Sequence, residues 1–277
     1  MRRNLKQTGL MVALLLMVAA AVPAAAASVT ERIEKSFPLA AGGALSIENI
    51  NGDITLESWD KAEVRIVAVK TVRGATEERA KKDLATLQVL FRIEGGKVIV
   101  ETDYPQSSFW DFNWMGGGST KEVVFSVMAP KGIKVDLHSV NGAVTADAPG
   151  SEVVAETVNG QVRVSGAKVL EATTVNGKIN FDVESVRAVE TTNGSIEGTV
   201  RGTRPSAGSV ETVNGSVTLR VSPDAALRLD LENVNGSIDS GFPGIEGGKH
   251  SKGGDVNGGG NPLSVSTVNG SIQVSKL

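Results

Sequence analysis

The chain of 277 residues contains no cysteine, so no disulfide can staple it and no thiolate can serve as nucleophile or metal ligand. Histidine is nearly missing as well. His138 and His250 are the only two, they lack zinc-ligand spacing, and neither belongs to a nucleophile motif. Both read as ordinary strand or surface residues. Aromatic residues make up 4% of the chain, set against 32 glycines. That balance favours many short Val/Ile/Thr strands over a few large aromatic-packed elements. No basic run is present and the formal net charge is -3, which makes a phosphate backbone a poor partner. What remains is 40% hydrophobic and 21% charged, enough for a sizeable core held by packing and backbone hydrogen bonds alone.

Residues 1–27 read as a signal peptide. Arg2, Arg3 and Lys6 form a basic start and Leu10 to Ala21 an apolar stretch too short for a comfortable membrane span. Pro23 then breaks the helix, and Ala25-Ala26-Ala27 offers small residues before a cut near Ser28. An uncleaved anchor is the alternative. Removing the three basic residues shifts the net charge from -3 to about -6. The expected location is therefore the periplasm, the cell surface or the medium, with no membrane span in the mature chain.

Then one motif dominates. An apolar residue (once Thr), Asn-Gly, any residue and Ile or Val recurs at Asn51-Gly52, Asn141-Gly142, Asn159-Gly160, Asn176-Gly177, Asn193-Gly194, Asn214-Gly215, Asn235-Gly236 and Asn269-Gly270. From Asn141 to Asn235 the spacings are 18, 17, 17, 21 and 21 residues, a short period that states architecture first. Three residues after each Asn stands Ile or Val. Four before it stand Ile47, Leu137, Ala155, Ala172, Val189, Val210, Leu231 and Val265, and two before it mostly Thr. Each copy is thus two short strands with one buried face, joined at Asn-Gly.

Asn-Gly between alternating strands is a strong signal for a type I′ hairpin, so an antiparallel meander is one possible fold. The other is a β-solenoid. Hairpins require turn chemistry but not the same residue type at every equivalent position, and here Thr, Asn, Gly and Ile/Val all recur in register. Stacking would place like on like, with Asn hydrogen-bonded up the stack. The expected fold is all-β, a β-solenoid-like repeat stack, with Val162, Ile179, Ile196, Val217 and Ile238 forming one buried column. The division of the chain is 28–132 as an N-terminal β-rich region with the first copy, and 133–277 as the repeats.

Within the N-terminal region, Thr76 to about Leu87 is the one helix candidate, capped by Thr76 and opened by Glu77 and Glu78. Residues 104–120 hold Tyr104, Phe109, Trp110, Phe112 and Trp114, five of the eleven aromatics, ended by three glycines. This stretch reads either as a binding loop for sugar, peptide or membrane interface, or as a cover for an open end of the sheet. Residues 240–262 are rich in glycine without a phosphate-loop context, and read as a surface loop.

Three residues before the Asn come Glu156, Glu190, Glu211 and Glu232, with Glu48 in the first copy. Strand alternation points them outward, and stacking would put Glu190, Glu211 and Glu232 on neighbouring layers. This acidic stripe reads as a Ca²⁺ site or as a solvated polar face. It does not have the spacing of a glycosidase acid pair.

Phe37-Pro38, Gly42-Gly43, Leu45-Ser46-Ile47 and the first Asn51-Gly52, then Trp59-Asp60, Glu63-Val64, Val127 to Gly132 and the run of Thr-Val-Asn-Gly copies, together resemble a bacterial family catalogued as putative adhesins with β-strand repeats, a domain of unknown function. The resemblance spans nearly the whole mature chain. It implies an exported, β-solenoid-like envelope or surface protein without catalytic residues or cofactor, serving adhesion or as an interaction scaffold for a protein or glycan. A polysaccharide-active β-helix enzyme and an envelope stress or cation-responsive factor are the alternatives.

Overall fold

The structure, a computed structural model, describes residues 27–104 and 119–277. The signal peptide read over 1–27 lies outside the described residues except for Ala27, and so do Phe109, Trp110, Phe112 and Trp114. The described chain is all-β, with one helix and two large open sheets. Its N-terminal part runs β1 (Ala27–Pro38), β2 (Ala44–Glu48), β3 (Ile54–Trp59), β4 (Glu63–Gly74), α1 (Glu77–Thr86), β5 (Gln88–Glu94), β6 (Lys97–Asp103) and β7 (Thr120–Pro130).

From Lys134 each copy supplies one strand before its Asn-Gly and one after it. The pairs are β8 (Lys134–Asn141) with β9 (Val144–Asp147), β10 (Glu152–Asn159) with β11 (Val162–Ser165), and β12 (Val169–Asn176) with β13 (Ile179–Val183). They continue with β14 (Ser185–Asn193) and β15 (Ile196–Val200), β16 (Gly208–Asn214) and β17 (Val217–Val221), and β18 (Leu227–Asn235) and β19 (Ile238–Ser240). After β20 (Glu246–Gly247) and β21 (Ser251–Val256) comes the last pair, β22 (Asn261–Asn269) and β23 (Ile272–Lys276).

The two strands of a copy lie in different sheets. One sheet has 12 strands in the order β20-β21-β18-β22-β16-β14-β12-β10-β8-β2-β6-β5, and the other has 11 in the order β1-β4-β7-β3-β9-β11-β13-β15-β17-β23-β19. Pairing is between copies, parallel and in register: Ala155 faces Ala172, Thr157 faces Thr174 and Asn159 faces Asn176. This overturns the hairpin reading. A hairpin would keep both strands in one sheet. Turning the corner into a second sheet instead lets the apolar positions before and after the Asn meet between the sheets, where Ala155, Val162, Ala172 and Ile179 are all fully buried.

The order of the stack departs from the order of the chain. The last copy sits between the sixth and seventh: β22 pairs with both β16 and β18, and β23 with both β17 and β19. The expected column therefore runs Val162–Ile179–Ile196–Val217, then Ile272, and only then Ile238. Residues 240–262 make the detour, and they are not a plain surface loop. β21 pairs antiparallel with β18, and β20 with β21, so the segment covers the exposed side of the seventh copy before the chain doubles back. Its glycines let backbones touch: a Cβ on Gly254 would meet the Gly244 carbonyl, and one on Gly260 the carbonyl of Ala226.

The opposite end is closed by antiparallel strands, β4 between β1 and β7 in one sheet and β5 on β6 in the other. Helix α1 packs on β1 and β4 with Ala80 and Leu84 buried, and Thr76 Oγ1 accepts a hydrogen bond of 3.2 Å from the Arg79 amide. The buried Lys70 donates to the Leu87 carbonyl just past the helix C-terminus at 3.0 Å and pairs with Glu31 at 2.6 Å, so a cation meets the negative end of the helix.

Candidate functional site

The repeated Asn-Gly forms the corner between the sheets. Asn141 Nδ2 donates to Asn51 Oδ1 at 2.8 Å, and the chain of amides continues through Asn159, Asn176, Asn193, Asn214 and Asn269 to Asn235, every link between 2.8 and 3.0 Å. The buried Thr two residues earlier stacks on its counterpart Thr, but its hydroxyl does not hydrogen-bond to it. Thr157, Thr174, Thr191, Thr212 and Thr267 each donate instead to the carbonyl of the Gly on the adjacent copy. The glycine is explained by the same packing. A Cβ on Gly160, Gly177, Gly194 or Gly215 would fall onto the neighbouring Gly carbonyl. Among the turn residues only Gly52 and Gly236 have positive φ, and no turn Asn does. The motif is fixed by close approach and amide stacking, not by the type I′ geometry that its sequence suggests. These residues are a scaffold; what they present lies on either side.

Two side-chain columns face outward on the 12-stranded sheet. The first is the expected acidic stripe, in a different order. Along the stack it reads Glu101, Glu48, His138, Glu156, Thr173, Glu190, Glu211, Ser266 and Glu232. Glu190 and Glu211 are neighbours as expected, but Ser266 separates Glu211 from Glu232. Glu48, Glu190, Glu211 and Glu232 have no ion-pair partner among the described residues. No group of three or more potential metal ligands occurs among those residues either, so the stripe supplies no convergent calcium cage there.

The second column is one that sequence reading did not single out. The residue just before each Asn points out of the sheet: Ile50, Val140, Val158, Val175, Thr192, Val213, Val268 and Val234 in stack order. Six of the seven apolar members are between 38% and 41% exposed, and Val234 is 59% exposed. At about 4.8 Å per layer this apolar rail is roughly 34 Å long. A signal for it was present. Positions three and one before the Asn share the same strand parity, so if the Glu points outward the Val must as well.

The β5–β6 hairpin rises beside the first copies and turns the two columns into a depression of about 740 Å³, lined by Ile50, Leu90, Val140, Val158 and Val175 and by Glu48, Glu101, His138 and Glu156. Tyr104, next in the chain to the lining Asp103, donates its hydroxyl to the Asn51 carbonyl at 3.0 Å. Burial holds the Tyr104 hydroxyl above its ordinary range. His138 is the only basic side chain in the acidic column. Its Nδ1 is 3.0 Å from Glu156 Oε2 and its Nε2 contacts Asp136. The hydrogen bond to Asp136 raises the imidazole above its ordinary value, opposed by partial burial and aided by the charge of Glu156. The same contact lowers the Asp136 carboxyl, against its own desolvation. His138 thus sits between two carboxylates that favour its protonated form, more than an incidental strand residue. His250, by contrast, sits at the covered end of the stack, its Nδ1 3.1 Å from Asn233 Oδ1.

Sheet, corner ladder and outward columns define an all-β repeat protein with an apolar and acidic outer face. No protein-family model matches the chain, and no curated protein does. The solved structures it is similar to include bacterial proteins described as putative adhesins and one, from Parabacteroides distasonis, described as a putative lipid-binding protein. Among them are a putative cell adhesion protein from Clostridium sporogenes (11% identical, TM-score 0.37, covering 89% of this chain and 100% of that one), a putative adhesin from Bacteroides fragilis (9%, 0.36, 89% and 97%) and a putative adhesin from Parabacteroides distasonis (11%, 0.31, 89% and 97%). Likeness at these scores carries no argument about fold or function, and the architecture stands on the pairing registers of the chain itself. Among the described residues no helix is long and apolar enough to cross a membrane.

Proposed function

We propose that the chain is a non-catalytic, exported β-solenoid that acts at the cell envelope as an adhesin or interaction scaffold, with the outer face of the 12-stranded sheet as its binding surface. The observation that carries this reading is the apolar rail: seven Ile or Val side chains held outward, four on one side of Thr192 and three on the other, on a stack whose amides and carbonyls are already paired. Contiguous exposed apolar surface on a rigid scaffold marks a place that a partner covers. The polysaccharide-cleaving alternative needs two carboxyls free to work across one bond. In the polar groove on the other sheet Asp182 is held by Arg201 and Glu197 by Lys178 at 2.7 Å, which favours the non-catalytic reading.

The test is site-specific photo-crosslinking in producing cells, with the reactive residue at Val158 on the rail and, as control, at Thr218 on the outer face of the 11-stranded sheet, followed by cell fractionation. A discrete adduct from Val158, absent from Thr218 and found in the envelope or medium, is the expected result. No adduct from Val158, or cytoplasmic retention of the chain, defeats the reading.

A further inference from the structure

The shape and chemistry of this face narrow its occupant. The rail runs across the strands, along the stack. Every strand beneath it is hydrogen-bonded on both sides from β8 to β18, so a partner lying on the rail cannot add itself as a further strand. A segment that covers valines must satisfy its own backbone amides and carbonyls, and the α-helix is the element that does so within a single segment. About 34 Å of rail matches roughly 22 residues of helix at 1.5 Å per residue. One apolar stripe of such a helix suffices for one row of valines. The glutamates stand two residues back along each strand, about 7 Å to one side of the valines. Four of them have no ion-pair partner among the described residues, and Glu190 and Glu211 face each other across adjacent strands, where like charges are unfavourable until neutralised.

We infer that the rail and the acidic column together dock an amphipathic α-helix of a partner protein, its apolar stripe on Val140, Val158 and Val175 and its lysine or arginine flank over Glu48, Glu190 and Glu211. The inference rests on the docking-face reading above and adds the chemistry of the occupant. The β5–β6 wall fixes where the helix sits: Leu90 flanks the rail on that side, and Glu101 extends the acidic column past Glu48. Attraction comes from two separable sources, apolar contact, which salt leaves largely intact, and exposed charge, which salt screens.

The test uses the full chain and a synthetic 22-residue helical peptide with leucines on one stripe and lysines on one flank. A peptide of the same composition in scrambled order and one with glutamates replacing the lysines serve as controls, with binding followed by fluorescence anisotropy. Two protein variants separate the sources. One carries Val140→Thr, Val158→Thr and Val175→Thr. Thr192 already occupies the equivalent place in the fifth copy, so the fold accepts threonine there. The other carries Glu48→Gln, Glu190→Gln and Glu211→Gln. The expected result is binding of the lysine peptide only, weakened about tenfold or more by the threonine variant and about tenfold by either the glutamine variant or high salt. Equal binding of the scrambled peptide, unchanged affinity in the threonine variant, or no binding at millimolar peptide overturns the inference. If Val158 still yields its discrete adduct in cells while the peptide does not bind, the docking face stands and the helix is the wrong occupant. If both fail, the face itself is wrong.

Discussion

Gly177 shows how much one missing side chain decides. Its neighbour Gly160 presents a carbonyl where a Cβ would be, and that carbonyl also accepts from Thr174 Oγ1 at 3.1 Å. Gly177→Ala cannot be absorbed by a rotamer change, because the obstacle is the backbone of the adjacent corner, itself held by hydrogen bonds. It is expected to cost about 3 kcal/mol, read as a lowered midpoint in urea with an unchanged slope. The repetition of this glycine is visible in sequence, but its reason is not. Asn-Gly announces positive φ to any sequence reader, and close approach of two backbones leaves no mark that distinguishes the two causes. His138 is illegible for a similar reason, since its carboxylate neighbours are Asp136 on its own strand and Glu156 on the next copy. The sign of its pH dependence follows from both shifts. The raised imidazole contributes stability that is full below its unfolded value near 6.5 and is lost as pH rises through the higher folded value. The lowered Asp136 contributes stability that is full above its unfolded value near 3.8 and is lost as pH falls through its lower folded value. The melting-temperature gap between the wild-type chain and His138→Gln is therefore expected to be widest between about pH 4.5 and 6 and to shrink as the pH rises above about 6.5.

At the scale of the strand, alternation carries most of the information, and it was legible. Ile196 lies at 0% exposure between Ile179 and Val217, whereas Ser195 beside it sits at the corner, partly open to solvent. Ile196→Asp is expected to cost about 4 kcal/mol or more, since it places a charge in a dry column, and Ser195→Asp well under about 1 kcal/mol. Equal thermal midpoints for the two variants would show that the column is not the core. Helix α1 was also legible, from Thr76 and the two glutamates after it. Strand β1 was harder to read. Ala27–Pro38 is an edge strand with Glu31, Arg32, Glu34 and Lys35 exposed along it, and such charges hide strand periodicity while guarding the edge against pairing with other chains. The outward valines are harder to read from sequence, because an apolar residue before Asn-Gly looks like core until its parity is compared with that of the glutamate.

At the scale of the molecule, the parallel stack follows from recurrence in register, but its order does not. Every copy carries the same corner, so the pattern fits equally well whether the last copy stacks at the end or slips between the sixth and seventh. The decisive information is in the 240–262 segment, whose pairing with β18 is not written as a periodic pattern. Paired cysteines can test the order, helped by a chain that has none of its own. Ser271 lies next to Ser216 (amide to hydroxyl 3.3 Å) and next to Ser237 (hydroxyl to hydroxyl 3.1 Å). Ser216→Cys with Ser271→Cys, and Ser237→Cys with Ser271→Cys, are expected to oxidise to disulfides, while Ser216→Cys with Ser237→Cys is not. Disulfides from the Ser216–Ser237 and Ser237–Ser271 pairs, with none from Ser216–Ser271, would restore the sequential order.

The displaced copy also bears on how the chain is made. Synthesis runs from the N-terminus, so the sixth and seventh copies exist before the eighth. Their corners match each other in register, Asn214 opposite Asn235, although Glu211 would then face Glu232 where the eighth copy offers Ser266. The growing chain thus has a ready mispairing that later must be pried apart to admit β22 and β23. Assembly should then finish with a slow annealing step at this one seam, and amides of β22 should gain protection last in pulse-labelled hydrogen exchange, well after those of β10 and β12.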